Sequence, residues 1–222
     1  GLRLAKLLAE RGITLRGGIT QTLRNASAPG AAPEPREPLV GVEIGRLLPP
    51  PLVDDVAFIM KQSQNLHAEL LLRRVGLVEG DGSREAGLKI VEAMMAETGS
   101  PRWSWDLSDG SGMSIYNRVT PRTVASLLRW TSQQPWADAF RATLPVGGVD
   151  GTLRRRFADT SLEGRIFAKT GTLNGVNALS GFMLTRSGRT LIFSAFANDR
   201  PSEAGSAIAA MDAALVQISE TN

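Results

Sequence analysis

Cysteine is absent from this sequence of 222 residues, and histidine and tyrosine occur once each. The missing cysteine excludes disulfides, thiol catalysis and cysteine-ligated metals together. One histidine, His67, argues against a histidine-based zinc site and leaves a Ser-His-Asp triad a single candidate base. Gly80-Asp81-Gly82 lacks the spacing of a calcium loop and reads as a turn, so no metal or cofactor is implied. No apolar run approaches the ~20 residues a membrane span needs. Charge of one sign is scarce too: the net charge is +3, and apart from Arg154-Arg155-Arg156 the arginines are scattered without interleaved aromatics. That pattern is a solvated basic face and gives no footprint for nucleic acid. Lysine is the rarest charged residue, with only Lys6, Lys61, Lys89 and Lys169 among the 25 basic side chains.

What is present is an ordinary globular composition, 42% hydrophobic and 21% charged, in a chain long enough to bury a core. "GLRLAKLLAERGITLRGGI" predicts a helix through Leu4, Leu7 and Leu8, stopped at Arg11-Gly12, and then a strand. Such a start reads as the middle of a protein, so the chain is expected to be a fragment, and a missing signal peptide is uninformative. Residues 27–38 are dense in Pro, Ala and Gly and read as a loop, and "LVGVEIGRL" alternates as a strand. We divide the chain into 1–38, the end of an inserted region with its linker, and 39–222, part of a catalytic domain.

"LPPPLVDDVAFIMKQSQNLHAELLLRRVG" gives the longest helical signal, with Asp54 and Asp55 in its first turn and Gly76 as its stop. On it, Lys61, Ser63 and Asn65 are expected to form a helix surface beside a cleft, stabilising it by hydrogen bonds. His67 and Glu69, two apart, point to different faces. A helix over 84–98 turns Ile90, Val91, Met94 and Met95 inward, and another starts at Pro121 with Val124, Leu127 and Leu128 inward. Asp150-Gly151-Thr152 is expected to form a turn and N-cap for a short helix at Arg154. "GRIFAKTG", "ALSGFMLT" and "TLIFSAFA" read as strands, the last two joined by the hairpin signal Arg186-Ser187-Gly188-Arg189. "TLIFSAF" is apolar on both faces and is expected inside a sheet covered by helices. A final helix over 202–219 packs Ala207, Met211, Leu215 and Ile218, while Trp103, Trp105, Trp130 and Trp136 read as packing residues. The fold class is α+β, an antiparallel sheet flanked by helices.

Chemistry concentrates in two stretches. Lys169-Thr170-Gly171 places a cation, a hydroxyl and a residue without a side chain along a strand, a surface suited to a ligand carboxylate and a closely approaching backbone. "SDGSGMSIYN" gathers Ser108, Asp109, Ser111, Ser114 and Asn117 in a loop about fifty residues earlier. A Ser-rich loop followed by Lys-Thr-Gly is the order of the later motifs of serine penicillin-recognising enzymes. "DGSGMSIYNRVTP", the Pro-Pro-Leu, Lys-x-Ser-x-Asn and Ala-Glu-x-Leu pieces of the long helix, "GVDGTL" and "AKTGTLNGVNALSGF" together resemble the class C low-molecular-mass penicillin-binding proteins. That group is the D-alanyl-D-alanine carboxypeptidases/endopeptidases, peptidase family S13.

The resemblance implies a penicillin-recognising serine peptidase fold, incomplete without an N-terminal segment. It implies a catalytic set of Ser114, Asn117 and Lys169: the Ser114 hydroxyl relays a proton to the leaving amine and Asn117 holds the scissile peptide. The strict second motif is Ser-x-Asn; here Asn117 stands three after Ser114 and Tyr116 holds the two-residue position, so either residue can fill the place. Lys169 and Thr170 bind the terminal carboxylate of a D-Ala-D-Ala stem peptide or a β-lactam, along Gly171, and Thr172 supplies an oxyanion-hole N–H. The partners implied are peptidoglycan and the absent N-terminal part of the same protein, and the place a bacterial periplasm or cell envelope.

The nucleophile motif, Ser-x-x-Lys, is missing. Three residues before the four lysines stand Arg3, Phe58, Ala86 and Ile166, none a serine. Taken alone the chain is expected to be inactive. A non-catalytic peptidoglycan-binding homologue, or a β-lactamase or esterase on the same scaffold, are the alternatives.

Overall fold

The computed structural model describes residues 2–17, 48–173, 175–199 and 205–222. The chain divides into two compact units, Gly1–Gly41 and Val42–Asn222. In the first, α1 (Leu2–Glu10) ends where Gly12 takes φ +73° and the Ile13 N–H turns back onto Leu8 O at 2.9 Å. Residues 13–16, expected to begin a strand, are unpaired, because the described part of this unit offers no sheet edge. The expected loop at 27–38 and the strand "LVGVEIGRL" lie outside the described residues.

In the second unit the long helical signal becomes two helices, α2 (Leu52–Gln62) and α3 (Asn65–Glu79). The break is at Ser63, whose left-handed φ of 55° ends α2 with its N–H on Ile59 O, while Gln64 Oε1 caps α3 by accepting from Leu66 N–H. Hydrophobic period alone does not reveal such a corner, since apolar residues recur on both sides of it. Gly76 is not a stop. It is buried inside α3, where an added Cβ would lie 2.7 Å from the backbone N of Gly87 on α4 (Arg84–Glu97). Paired glycines thus let α3 and α4 touch through their backbones. Gly80-Asp81-Gly82 turns between them, with Asp81 Oδ1 accepting from Ser83 N–H.

Two short strands, β1 (Trp105–Asp106) and β2 (Arg118–Val119), pair antiparallel and close the base of the Ser/Gly/Asp-rich loop. A 3₁₀ turn, Arg102–Ser104, precedes them. Trp105 is buried under the Arg102 guanidinium, but Trp103 is 83% exposed, contrary to its expected packing role. Next come α5 (Pro121–Thr131), capped by the Thr120 hydroxyl, and α6 (Ala137–Thr143). Trp130 meets Trp136 edge-on at 5.7 Å beside them.

The main sheet has the order β3-β4-β5: β3 (Ile166–Leu173), β4 (Val176–Leu184) and β5 (Thr190–Ala197), all antiparallel. One face carries Ile166, Ala168, Leu179 and Met183 against Leu153, Phe157, Leu162 and Leu215. The other carries Phe182 and Phe167 against Leu128, Leu144 and Phe140. Period-2 alternation along β3 and β4 therefore fills two half-cores. Each fully buried Leu or Ile contributes about 1.5–3 kcal/mol. Leu215 belongs to α7 (Ala207–Thr221), which Arg156 also fastens through two hydrogen bonds to Asp212, at 3.1 and 2.5 Å.

Three expectations are corrected here. β5 is at an edge of this sheet among the described residues, with α5 packed against it and its apolar side chains also lining the groove toward α7. Ile218 is 41% exposed, since α7 turns Leu215 and Ser219 inward instead. No helix starts at Arg154: a 3₁₀ turn, Gly151–Leu153, is followed by turns, and Asp150 makes no capping bond. Its carboxylate instead joins Lys61 Nζ at 2.5 Å and accepts from Val146 N–H at 2.9 Å, tying α2 to this segment.

Candidate active site

β3 carries Lys169, Thr170, Gly171 and Thr172 along one wall of a cavity of about 490 Å³. The opposite wall is the α2–α3 corner, with Ser63, Gln64 and Asn65, and Gly110–Met113 of the long loop closes it above Ala68. Apolar side chains, Ile59, Leu173, Val176 and Phe196 among them, line much of the rest, so a few polar groups converge in an apolar recess. A larger groove of about 910 Å³ between β5 and α7 is lined, among the described residues, by apolar side chains with Ser194 and Ser206.

Lys169 Nζ donates to Ser63 Oγ at 2.8 Å and to Thr170 O at 2.7 Å. No carboxylate pairs with this ammonium among the described residues, and burial pushes its pKa below the ordinary lysine value. A half-buried cation with neutral partners only is poised to receive an anion. Thr170 Oγ1 donates to Thr152 Oγ1 at 2.9 Å. Gly171 borders the cavity with nothing nearer to its would-be Cβ than Ala178 Cβ at 3.4 Å. The pairing Lys169↔Ser180 within β3–β4 fixes the height of the lysine on the sheet.

Sequence reading places Ser63 only on a helix surface beside a cleft; in the structure it lines the cavity and accepts from Lys169. It holds a left-handed backbone that non-glycine residues rarely adopt, a conformation that gathers at functional sites. The signal was available: Ser63-Gln64-Asn65 is a literal Ser-x-Asn, concealed inside what reads as one unbroken helix. Lys61, two residues before it, donates to Leu144 O at 3.1 Å as well as to Asp150, which anchors the corner from below.

Ser114 and Asn117 are not among the residues lining the cavity. Their bonds are internal to the loop. Asn117 Oδ1 accepts from Ser108 N–H and its Nδ2 donates to Asp109 Oδ1, both at 2.8 Å. Ser114 Oγ accepts from Tyr116 N–H, and Ser114 N–H donates to Asp109. Asp109 is the hub, also accepting from Ser111 Oγ and Gly112 N–H. Burial works against its charge, but the donors from Asn117, Ser111, Gly112 and Ser114 outweigh it and hold the carboxyl below the ordinary aspartate value. Glu69, on α3, docks this loop by accepting from Gly110 N–H at 2.8 Å, while His67 on another face contacts Asp55 at 3.1 Å.

A depressed carboxylate pKa stabilises the folded loop above the unfolded value and is lost as pH falls through the folded one. Asp109→Ala should therefore speed amide exchange at Gly112 and Ser114 by about tenfold or more at neutral pH. In the unsubstituted chain the same loosening is expected only below pH 3.8, the ordinary aspartate value. Unchanged exchange in the variant would show that the loop is held by other means.

The model of the D-Ala-D-Ala carboxypeptidase 3 (S13) family matches residues 1–218. A D-alanyl-D-alanine carboxypeptidase of Actinomadura sp. strain R39 is 41% identical over 167 residues, 72% of this chain and 30% of its own length. The crystal structure of penicillin binding protein 4 (dacB) from Haemophilus influenzae, complexed with a β-lactam, superposes with TM-score 0.62 at 31% identity over 76% of this chain and 40% of that one. The Bd0816 predatory endopeptidase of Bdellovibrio bacteriovorus, in complex with an immunity protein, shares the fold, with TM-score 0.62 at 23% identity over 76% and 43% of the two chains. The chain spans about a third of the length of the curated relatives it matches.

Proposed function

The chain belongs to the D-Ala-D-Ala carboxypeptidase 3 (S13) family, and on that premise we propose that its cavity recognises the carboxylate end of a D-alanyl-D-alanine peptide. The whole protein would be a penicillin-binding serine carboxypeptidase/endopeptidase, acting on peptidoglycan in a bacterial cell envelope through an acyl-enzyme. The observation that carries the reading is the half-buried Lys169 ammonium, without an acidic partner among the described residues and hydrogen-bonded to Ser63 inside the cavity.

In this reading Lys169 meets the substrate carboxylate, Thr170 adds a hydroxyl, Gly171 leaves room for the peptide backbone, and Thr172 offers a backbone N–H to a developing oxyanion. We assign the second-motif roles to Ser63 and Asn65 in place of Ser114 and Asn117. Ser63 Oγ already accepts from Lys169, so its own proton is free to point toward a leaving amine, which it can protonate as the bond breaks. Asn65 lines the same cavity and can hold the peptide by its amide. Ser114 and Asn117 act one step back, through Asp109, by shaping the loop whose Gly110–Met113 stretch faces the peptide. The domain division at residue 38 stays part of the proposal, as does a cell-envelope location; among the described residues no helix is long and apolar enough to cross a membrane.

Acylation needs a Ser-x-x-Lys pair that none of the four lysines provides. The 222-residue chain is therefore expected to bind N-acetyl-D-Ala-D-Ala reversibly, seen as shifts of the Lys169 and Thr170 signals by NMR, and to take no covalent label from fluorescent penicillin. A label on this chain, located by intact mass and peptide mapping, would overturn the assignment of the nucleophile to other polypeptide. Absence of both binding and label would overturn the carboxylate site itself.

A further inference from the structure

Arg154-Arg155-Arg156 is the one basic cluster of the sequence, and the reading above leaves it without a task. Arg156 is accounted for by Asp212, its side chain only 17% exposed. Arg154 and Arg155 are different: both are exposed, and neither has an acidic partner among the described residues. They line a recess of about 380 Å³ with Lys61, Gln62, Gly151 and Thr152.

This recess adjoins the carboxylate site at two points. Thr152, on its wall, accepts the hydroxyl of Thr170, on the wall of the main cavity. Along α2, Gln62 borders the recess and the next residue, Ser63, borders the cavity. The charges inside do not cancel. Asp150 is matched by Lys61 at 2.5 Å, which leaves two guanidiniums in excess. The carbonyl end of α2 opposes an anion here, but with only about half a unit of charge against two full ones. Guanidinium is also the side chain suited to planar, two-point recognition of a carboxylate.

We propose that Arg154 and Arg155, with Thr152 and Gln62, form an anion subsite that takes a second carboxylate of the ligand. The second carboxylate is carried by the residue whose first carboxylate meets Lys169 and Thr170, because Thr170 is the side chain the two recesses share through Thr152. The ligands favoured are peptides ending in a D-residue with an acidic side chain, which in a hydrolytic reaction is the leaving residue. This inference rests on the carboxylate reading of the main cavity.

The test compares N-acetyl-D-Ala-D-Ala with N-acetyl-D-Ala-D-Glu on the 222-residue chain, by NMR titration read at Lys169 and at the Arg154 and Arg155 side-chain N–H groups. The acidic probe should bind roughly three- to tenfold more tightly and move the arginine signals, as two partly exposed ion pairs allow. In the R154A/R155A double variant the preference should fall to about unity, with an unchanged melting temperature showing that it still folds. Equal affinities, with Lys169 responding and the arginines silent, would overturn the subsite and spare the carboxylate site. Arginine shifts with Lys169 silent would overturn the reading of Lys169 and with it the two-carboxylate ligand, leaving only anion binding at the arginines. Silence at both, with either probe, would overturn both.

Discussion

Lys169→Ala should weaken reversible binding of N-acetyl-D-Ala-D-Ala by about ten- to a hundredfold, the largest loss expected from any single side chain of the cavity. The ammonium is half-buried, so its attraction for a carboxylate is less screened than at the open surface, and its present partners are neutral oxygens of Ser63 and Thr170. Arginine is a poor substitute, since a planar fork cannot donate to Ser63 Oγ and Thr170 O from one point while also facing a ligand. The pH dependence gives an independent check. Burial favours the neutral amine, so the proton leaves below the ordinary 10.5 of a lysine. Affinity should be flat at neutral pH and fall as pH rises through that lowered value, with a midpoint under 10.5. For stability the sign is opposite to that of a paired lysine: the charged form is a cost to folding at neutral pH, relieved as pH rises between the folded and unfolded values. Full affinity persisting above 10.5 would mean that the carboxylate has a different partner.

Much of this site can be read in the sequence where it depends on neighbours along the chain. Lys169-Thr170-Gly171 sits on one strand, and its strand, hairpin and alternation follow from residues within reach of one another. The Ser63–Lys169 contact joins positions 106 residues apart, and nothing local announces it. The corner at Ser63 was hidden for a related reason: Ile59, Met60 and Leu66, Leu70 keep a helical period across it, while the break depends on one serine adopting a left-handed backbone. The Ser/Gly/Asp-rich loop is legible as a loop, but its internal bonding is not. Asp109 collects its hydroxyls and amide as internal ties, and only the positions of Ser111 and Asn117 relative to Asp109 reveal that. The 2.5 Å pair of Lys61 with Asp150 spans 89 positions, so neither residue announces the other. The edge position of β5 among the described residues likewise follows from pairing order, which two-sided apolarity does not encode.

Two glycines on neighbouring strands should respond to the same substitution in opposite ways. Gly181 pairs with Ala168 at the centre of the sheet, and an added Cβ would lie 2.1 Å from Phe167 O and 2.6 Å from Ala168 Cα. Those are backbone atoms of the adjacent strand, unable to rotate aside, so β3 and β4 must separate. Overpacking costs about 1–3 kcal/mol even where side chains can yield, and more is expected here. Gly181→Ala should lower the urea midpoint sharply, and shift the Lys169 signals one position along the register from the clash. Gly171 is the contrasting case. Its would-be Cβ meets only Ala178 Cβ at 3.4 Å, an ordinary contact, and its φ is not in the left-handed region. Removing a strand glycine gains about 0.5–1 kcal/mol of backbone entropy, so Gly171→Ala should fold as well as the parent or slightly better. The fold therefore does not require glycine at 171, and the space it leaves opens onto the cavity. Binding of N-acetyl-D-Ala-D-Ala should fall in Gly171→Ala while the urea midpoint holds. A variant that lost stability would make Gly171 a structural residue, and one that kept both stability and affinity would place the peptide backbone elsewhere in the cavity.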